Sequence, residues 1–312
     1  MKKILVLLLV FFPAIAFGQQ FPFMEGYSVD PFILSPAYAG IHNPRTVFMD
    51  YRSDWTGLDG GPRTYQLSYS DQIGRVGFGG RFIYDKTDIF KQTLVMGTYT
   101  YEVRIANKHV INFGLSLGFF RNSIDLTKYY NDPTYVVDPA LMYGQQQSKI
   151  KFATDISALY RYQGAEAGIL FSNVMFGTVK YANLDMTYKP LKNFLLHASY
   201  LFVMNSSWDI KPTFILRGGQ HVPALFELAP TVTWNKRFWG NVLFRTGGIY
   251  GAGVGGEVYN GIFLNYSFNL SSNVQLNAFN SHQVTLGVRF LKPRSDKKIQ
   301  SKVNQIKTLP GK

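Results

Sequence analysis

The chain has 312 residues, a formal net charge of +13 and no cysteine, which excludes a disulfide framework, a thiol nucleophile and a thiolate metal site. Its 16% aromatic residues, 29 glycines and only 16% charged residues suit a membrane β-barrel with aromatic girdles. The positive charges are scattered up to residue 290, so this region offers no nucleic-acid-binding face.

Residues 1–18 have the pattern of a secretory signal peptide. Two lysines follow the initiator methionine, an unbroken apolar run covers residues 4–12, and small residues precede Gln19. The pattern predicts cleavage before Gln19, which lowers the formal charge to +11. A membrane anchor helix is the alternative. Pro13 and the short run disfavour it, because a span needs about 20 apolar residues.

Residues 19–43 have no regular periodicity and are interrupted by prolines and glycines. We interpret them as an extended or looped lead-in that comes before the first strand. We expect it to fold into or beneath a barrel lumen, as a plug or a periplasmic contact. Pro36 and Gly40 would fix its turns.

Segments with alternating apolar and polar residues follow one another from residue 44 to residue 290. In the last segment, Val284, Leu286 and Val288 lie on one face, and Gln283 and Thr285 lie on the other. A period of two places each set on one side of a pleated strand, and helical spacing fits none of the segments. The clearest examples cover residues 62–72, 75–85, 109–122, 192–203, 225–235, 261–270 and 282–290.

This pattern predicts an all-β transmembrane antiparallel β-barrel over residues 44–290. At about 20 residues for each strand and its turn, the mature chain has room for about 14 strands. A barrel of that width must be filled by water, a plug or a bound segment. Residues 123–149 form the longest loop candidate, which we place outside the cell. A soluble β-sandwich is the alternative, but its open faces should carry more Lys, Glu and Asp.

No motif in the sequence indicates catalysis, a metal or a cofactor. Gly251, Gly253 and Gly256 match the dinucleotide fingerprint by letter, but a strand rather than a helix is expected to follow them. The five histidines lack metal-ligand spacing, and no Gly-x-Ser-x-Gly elbow is present. We therefore predict a protein that is not an enzyme and holds no cofactor or metal.

Two features allow more than one interpretation. Several arginine and tryptophan residues either line a protein-binding surface or divide between a polar lumen and interfacial belts. The tail at 291–312, with seven Lys or Arg and one acidic residue, is expected in the periplasm. It is either a disordered solubilising tail or a contact with an acidic periplasmic partner or the inner leaflet. The residues of the first feature are Arg52, Asp54, Trp55, Arg63, Arg217, Trp239 and Arg245.

Four short blocks, spread over most of the chain, carry a family resemblance. They cover residues 35–40, 51–64, 238–245 and 282–290, and they resemble the PorP/SprF outer-membrane proteins of the Bacteroidetes type IX secretion system. Ser35 and Gln283 depart from the Asn and Glu of the family pattern. The matching residues are Pro36, Ala37, Gly40, Arg52, Trp55, Gly57, Gly61, Pro62, Trp239, Arg245, His282, Gly287, Arg289 and Phe290.

The resemblance implies a non-enzymatic barrel in the bacterial outer membrane. Such a protein anchors or helps export a type IX-secreted surface protein by binding its C-terminal domain. Its partners would be that adhesin or gliding protein, components of the secretion or gliding machinery, and outer-membrane lipid. The expected binding face is the outer loops, including 123–149, and the lumen wall. A diffusion porin or solute transporter and an outer-membrane enzyme are the alternatives.

Overall fold

A computed structural model describes residues 24–106, 108–125, 146–173, 179–181, 184–188, 193–219, 222–272 and 280–290. Fourteen strands of one antiparallel sheet close into a barrel, so the predicted fold class and strand number are confirmed. Among the described residues, no helix is long and apolar enough to cross a membrane. The predictions for residues 1–23 and for the tail at 291–312 concern positions outside the described residues.

Each wall strand pairs with its sequence neighbour, apart from a step from β7 to β10. Pairing of β1 with β17 closes the barrel. The short β11 continues the wall strand begun by β10, while β8 and β9 form a separate hairpin. The strands are β1 (Thr46–Thr56), β2 (Arg63–Ile73), β3 (Val76–Thr87), β4 (Phe90–Ala106), β5 (His109–Asp125), β6 (Gln146–Tyr162), β7 (Ala165–Ser172), β8 (Val179–Tyr181), β9 (Leu184–Tyr188), β10 (Asn193–Tyr200), β11 (Phe202–Val203), β12 (Trp208–Gly219), β13 (Val222–Trp234), β14 (Phe238–Arg245), β15 (Ile249–Tyr259), β16 (Ile262–Ser271) and β17 (Asn280–Arg289).

The predicted alternation of faces is confirmed in the wall. In β17, Val284 and Leu286 are exposed on the outer surface, whereas Gln283 and Thr285 are buried on the inner surface. The same division recurs around the barrel, so a continuous apolar surface faces outward and polar side chains face the lumen. Representative outward residues are Met49, Leu67, Phe82, Val95, Leu117, Leu196, Phe226 and Leu264.

The two ends of the barrel differ in their connections. At the terminus side, where β1 begins and β17 ends, the turns between strands are short. At the opposite end, here called the loop side, the connections include 126–145 and 273–279. Barrels of this kind carry their longer loops outside the cell, which assigns the loop side to the cell surface.

The predicted long loop is shorter than expected. Strand β5 continues to Asp125 and β6 begins at Gln146, with Ser123 still paired to Ser148. The polar residues that suggested a loop are tolerated there because backbone hydrogen bonds, rather than apolar side chains, hold the two strands together. The connection itself, 126–145, lies outside the described residues.

Residues 24–44, here called the lumenal segment, lie inside the barrel. Three short 3₁₀ helices form it, at Gly26–Ser28, Pro31–Ile33 and Pro36–Tyr38. Asp30 and Ser35 cap the second and third, each accepting a hydrogen bond from a backbone N–H two residues later. A proline follows each cap, where its missing N–H costs nothing. Apolar side chains of this segment are almost completely buried: Met24, Tyr27, Val29, Phe32, Leu34, Ala37, Tyr38 and Ala39.

Glycines on the inner face of the wall make room for the lumenal segment. A Cβ at Gly114 would collide with the backbone nitrogen of Ala37, and one at Gly77 would collide with the carbonyl oxygen of Ala39. Gly40 has a positive φ of +74°, and a Cβ there would meet the backbone of Asp71. Close backbone approach of segment and wall therefore depends on missing side chains at these positions.

We expect Gly114→Val to destabilise the barrel by about 1–3 kcal/mol, because the added side chain overpacks the contact with Ala37. Gly97→Val is the matched control, since Gly97 lies on the outer face and the nearest atom to its Cβ position is 4.0 Å away. Urea unfolding of both variants in detergent micelles measures the difference. Equal midpoints would contradict the proposed fit of segment and wall.

Candidate functional site

A buried ionic network holds the start of the lumenal segment. One carboxylate oxygen of Glu25 lies 3.1 Å from Arg52 Nη1 and 3.0 Å from Arg245 Nη2. The backbone N–H of Glu25 donates to Gln283 Oε1 at 2.9 Å, and the side-chain amide of Asn269 donates to the Glu25 carboxylate. Four different wall strands thus bind this single residue.

Further carboxylates balance the two arginines. Arg52 also pairs with Asp54, at 2.7 Å, and Arg245 pairs with Glu227, at 2.6 Å. Tyr27 of the lumenal segment donates a hydrogen bond to Glu227. Because Glu25, Arg52 and Arg245 are almost fully buried, loss of Glu25 would leave each arginine with a single carboxylate partner in a poorly solvated site.

The middle of the lumen holds the segment through a second set of contacts. Ser68 of β2 donates a hydrogen bond to Asp30. The guanidinium of Arg81 lies 5.5 Å from the centre of the Phe32 ring and pairs with Asp155 of β6 at 2.9 Å. The segment therefore meets both charged and neutral polar groups of the wall at this level.

The end of the segment is bound near the terminus side. Glu166 of β7 lies 2.8 Å from His42 Nε2 and 2.8 Å from Lys211 Nζ. Slightly deeper, the backbone N–H of Ala37 donates to Ser157 Oγ at 3.0 Å, and Thr100 Oγ1 donates to the carbonyl of Pro36 at 2.8 Å. Polar contacts thus follow the segment along its whole described length.

The structure places most of the arginine and tryptophan set. Arg52 and Arg245 face the lumen, where they bind Glu25, and Arg217 is half-buried in β12. Trp239 also faces inward, since it packs against a cluster with Phe48 and donates to Asn265 Oδ1 at 2.8 Å. The interfacial-belt interpretation is therefore wrong for Trp239. The reason lies in the cluster it joins, which consists of Val29 of the lumenal segment, Phe48 of β1 and Phe263 of β16.

The remaining residues of the first two family blocks lie apart from this network. Pro36 and Ala37 contact the wall as described above. Trp55 has a positive φ of 53° at the loop-side end of β1, and Gly57 in the following turn has a φ of +111°. A Cβ at Gly61 would crowd the carbonyl of Asp54, and Asp54 donates its N–H to the carbonyl of Pro62. These residues shape the first loop-side turn.

The residues of the closing strand have separate surroundings. His282 lies on the outer face, with Nδ1 2.7 Å from the Tyr266 hydroxyl. Gly287 leaves space for the ring of Phe48, and Arg289 donates to Asn43 Oδ1 at 3.1 Å. Phe290 is exposed, and its backbone N–H donates to the carbonyl of Arg45 at 3.0 Å. The last two contacts join the end of the barrel to the start of β1.

The glycine-rich run at 247–256 begins with Gly247 and Gly248 in the turn before β15 and continues within that strand, which covers Ile249–Tyr259. Strand β16 follows it, so the βαβ context of a dinucleotide site is lacking here. Cβ atoms at Gly251 and Gly253 would collide with the side chains of Asn269 and Asn241. In the described part of the chain, no group of His, Cys, Asp or Glu could hold a metal ion.

Glu25 was missed by the sequence analysis. A signal was present: residues 19–43 carry two acidic residues, Glu25 and Asp30, and no Lys or Arg. Acidic side chains in a proline-rich lead-in, ahead of a barrel with many arginines, are candidates for lumenal ion pairs. Two partners of Glu25, Arg245 and Asn269, lie more than 200 residues away from it in the sequence, so only the closed barrel brings them together.

The fold and this site define an outer-membrane β-barrel whose lumen contains its own N-terminal segment. Residues 16–288 match the family described as type IX secretion system membrane protein PorP/SprF. The chain belongs to this family, and it is located in the outer membrane. The family is a membrane component of the type IX secretion system.

Solved barrels with low sequence identity also resemble the chain. Outer membrane protein Omp33 of Acinetobacter baumannii has 7% identity and a TM-score of 0.49, covering 80% of this chain and 100% of its own. The toluene transporter TodX of Pseudomonas putida has 10% identity and a TM-score of 0.49, covering 87% and 93%. A comparison with curated proteins finds no match.

We expect Glu25→Ala to lower the free energy of unfolding by about 3 kcal/mol, because it removes the carboxylate shared by two buried arginines, each of which keeps one other carboxylate partner. Asp125→Ala is the control. It breaks the partly exposed pair with Lys91, where the expected loss is about 0–1 kcal/mol. Urea unfolding in detergent compares the two. A loss at Glu25 no larger than that at Asp125 would rule out the network as a major anchor.

Proposed function

We propose that this protein is a non-enzymatic barrel that anchors or helps export a surface protein secreted by the type IX system. The secreted adhesin or gliding protein would bind through its C-terminal domain. Membership of a type IX secretion family supports the choice of partner. The occupied lumen supports a binding role, since the lumenal segment fills space that a diffusion channel would need to keep open.

The lumenal segment is the observation that carries this proposal. It contacts wall strands on several sides of the lumen, from Arg52 and Arg245 at one level to Glu166 at another. A diffusion porin or solute transporter needs a continuous polar channel. We therefore favour a barrel that is closed by the lumenal segment. In this view the predicted lead-in at 19–43 acts as a plug.

The loop side is the proposed docking face. Strands β4, β5 and β6 each have 17 residues, against eight in β14. At about 3.3 Å per residue and a tilt of 35–45°, 17 residues rise roughly 40–46 Å, more than the ~25 Å apolar band of such barrels. Strand β6 pairs with β5 from Gln146 but with β7 only from Ile156, so the β5–β6 ladder projects at the loop side, where it carries the connection 126–145. A surface of this shape suits a protein partner.

The remaining parts of the chain have roles that follow from this arrangement. We propose that residues 1–18 are a cleaved signal peptide and that residues 44–290 form the barrel domain in a Bacteroidetes outer membrane. The basic tail at 291–312 follows Phe290, which lies at the terminus side. We place the tail in the periplasm, where secretion or gliding machinery would be within its reach. Lipid contacts the outer apolar surface.

The occupied lumen predicts little or no conductance for the purified protein in planar bilayers. A variant lacking residues 24–43 should show stable open-channel steps, because it lacks the described residues that occupy the lumen. Heat-modified gel mobility of both proteins checks that the barrel has assembled. Large, steady conductance of the unaltered protein would contradict the binding role and favour the porin.

Deletion of residues 126–145 should release the surface partner while the barrel still assembles, because that connection joins the loop-side ends of β5 and β6. The deletion spares every paired residue of β5 and β6. Co-purification from native membranes, followed by mass spectrometry, measures retention of the partner. A deletion of 273–279, in another loop-side connection, is the matched control. Undiminished retention after the first deletion would remove that loop from the docking face.

A further inference from the structure

The lumenal segment has a defined direction through the barrel. Its first part is bound close to the loop side, since Glu25 pairs with Arg245, the last residue of β14. Asn269, the other close partner of Glu25, lies two residues before the loop-side end of β16. The described chain therefore begins near the cell-surface mouth of the lumen.

The later part of the segment is bound at the opposite end. A Cβ at Gly77, the second residue of β3, would collide with Ala39. His42 pairs with Glu166, the second residue of β7, and both of these wall positions follow terminus-side turns. The segment thus descends from the loop side to the terminus side and continues directly into β1.

We infer that the N-terminal end of the mature chain emerges at the cell surface, through the loop-side mouth of the lumen. Cleavage before Gln19 would leave five residues ahead of Met24, which can extend about 17 Å at 3.3–3.6 Å per residue. Glu25 contacts Arg245, the last residue of β14, which pairs with Glu227 five residues from the loop-side end of β13. Five strand residues at a tilt of 35–45° rise roughly 12–13 Å, so a reach of about 17 Å suffices to leave the lumen there.

The two ends of the chain then lie on opposite sides of the membrane. An even number of strands alone returns a chain to the side on which it began, so Thr46 and Arg289 are paired neighbours at the terminus side. The lumenal segment adds one further crossing. Resting on the proposed function, this makes the mature N-terminus part of the face that meets the secreted protein.

Cysteine accessibility tests this topology without background, because the chain contains no cysteine. Gln20→Cys should react with a membrane-impermeant maleimide in intact cells, to an extent similar to Leu58→Cys in the exposed turn between β1 and β2. Lys108→Cys, in a terminus-side turn, should react only after the outer membrane is permeabilised. Val29→Cys, in the buried segment, should react in neither case.

Reaction of Gln20→Cys only after permeabilisation, or in neither condition, would overturn the inference. A second arm uses the same variant. Biotin-maleimide followed by streptavidin places a bulky protein at position 20, and retention of the secreted partner should then fall at least several-fold. If position 20 is labelled at the surface and retention of the secreted partner is unchanged, the N-terminus is not part of the docking face. Absence of a partner from the unaltered protein would instead contradict the proposed function.

Discussion

The constraint on which this structure depends is that backbone N–H and C=O groups facing lipid must be paired within the protein. Strand pairing meets that demand only when the sheet closes, and here the β1–β17 ladder closes it. Closure at fourteen strands leaves a lumen too wide for the wall's own side chains to fill. The lumenal segment fills part of that space, and the inward-facing glycines and ion pairs of the wall accommodate it.

Buried ion pairs are a costly means of holding a segment, because each charge loses its hydration. An apolar plug would avoid this cost but would leave the polar inner face of the wall without partners. Glu25 and His42 of the segment pair with wall groups that alternation itself directs inward, since every second residue of a strand whose other face meets lipid must point to the lumen. The polarity of the segment is thus matched to the barrel that surrounds it.

Sequence reasoning was most successful where the physics is local. Alternation in segments such as 109–122 and 282–290 predicted the strands and their faces, and the number of strands followed from length. The partners of Glu25 could not be predicted from the sequence, because Arg52 and Arg245 come close to each other only when the barrel is closed. The sequence left both interpretations of Trp239 open for the same reason: its inward position depends on register with Gly255 and on a cluster containing Phe48. The predicted loop at 123–149 was too long, because polar residues also occur in the paired ends of β5 and β6.

The direct continuation of the lumenal segment into β1 restricts the order of assembly. Arg45 joins the segment to β1, and its carbonyl already accepts a hydrogen bond from Phe290 at the other edge of the seam. If β1 paired with β17 first, the short helices around Phe32 would have to enter a closed barrel and pass the closely fitting inner face of its wall. We therefore expect an order of assembly in which the sheet forms around the lumenal segment and β1 pairs with β17 last.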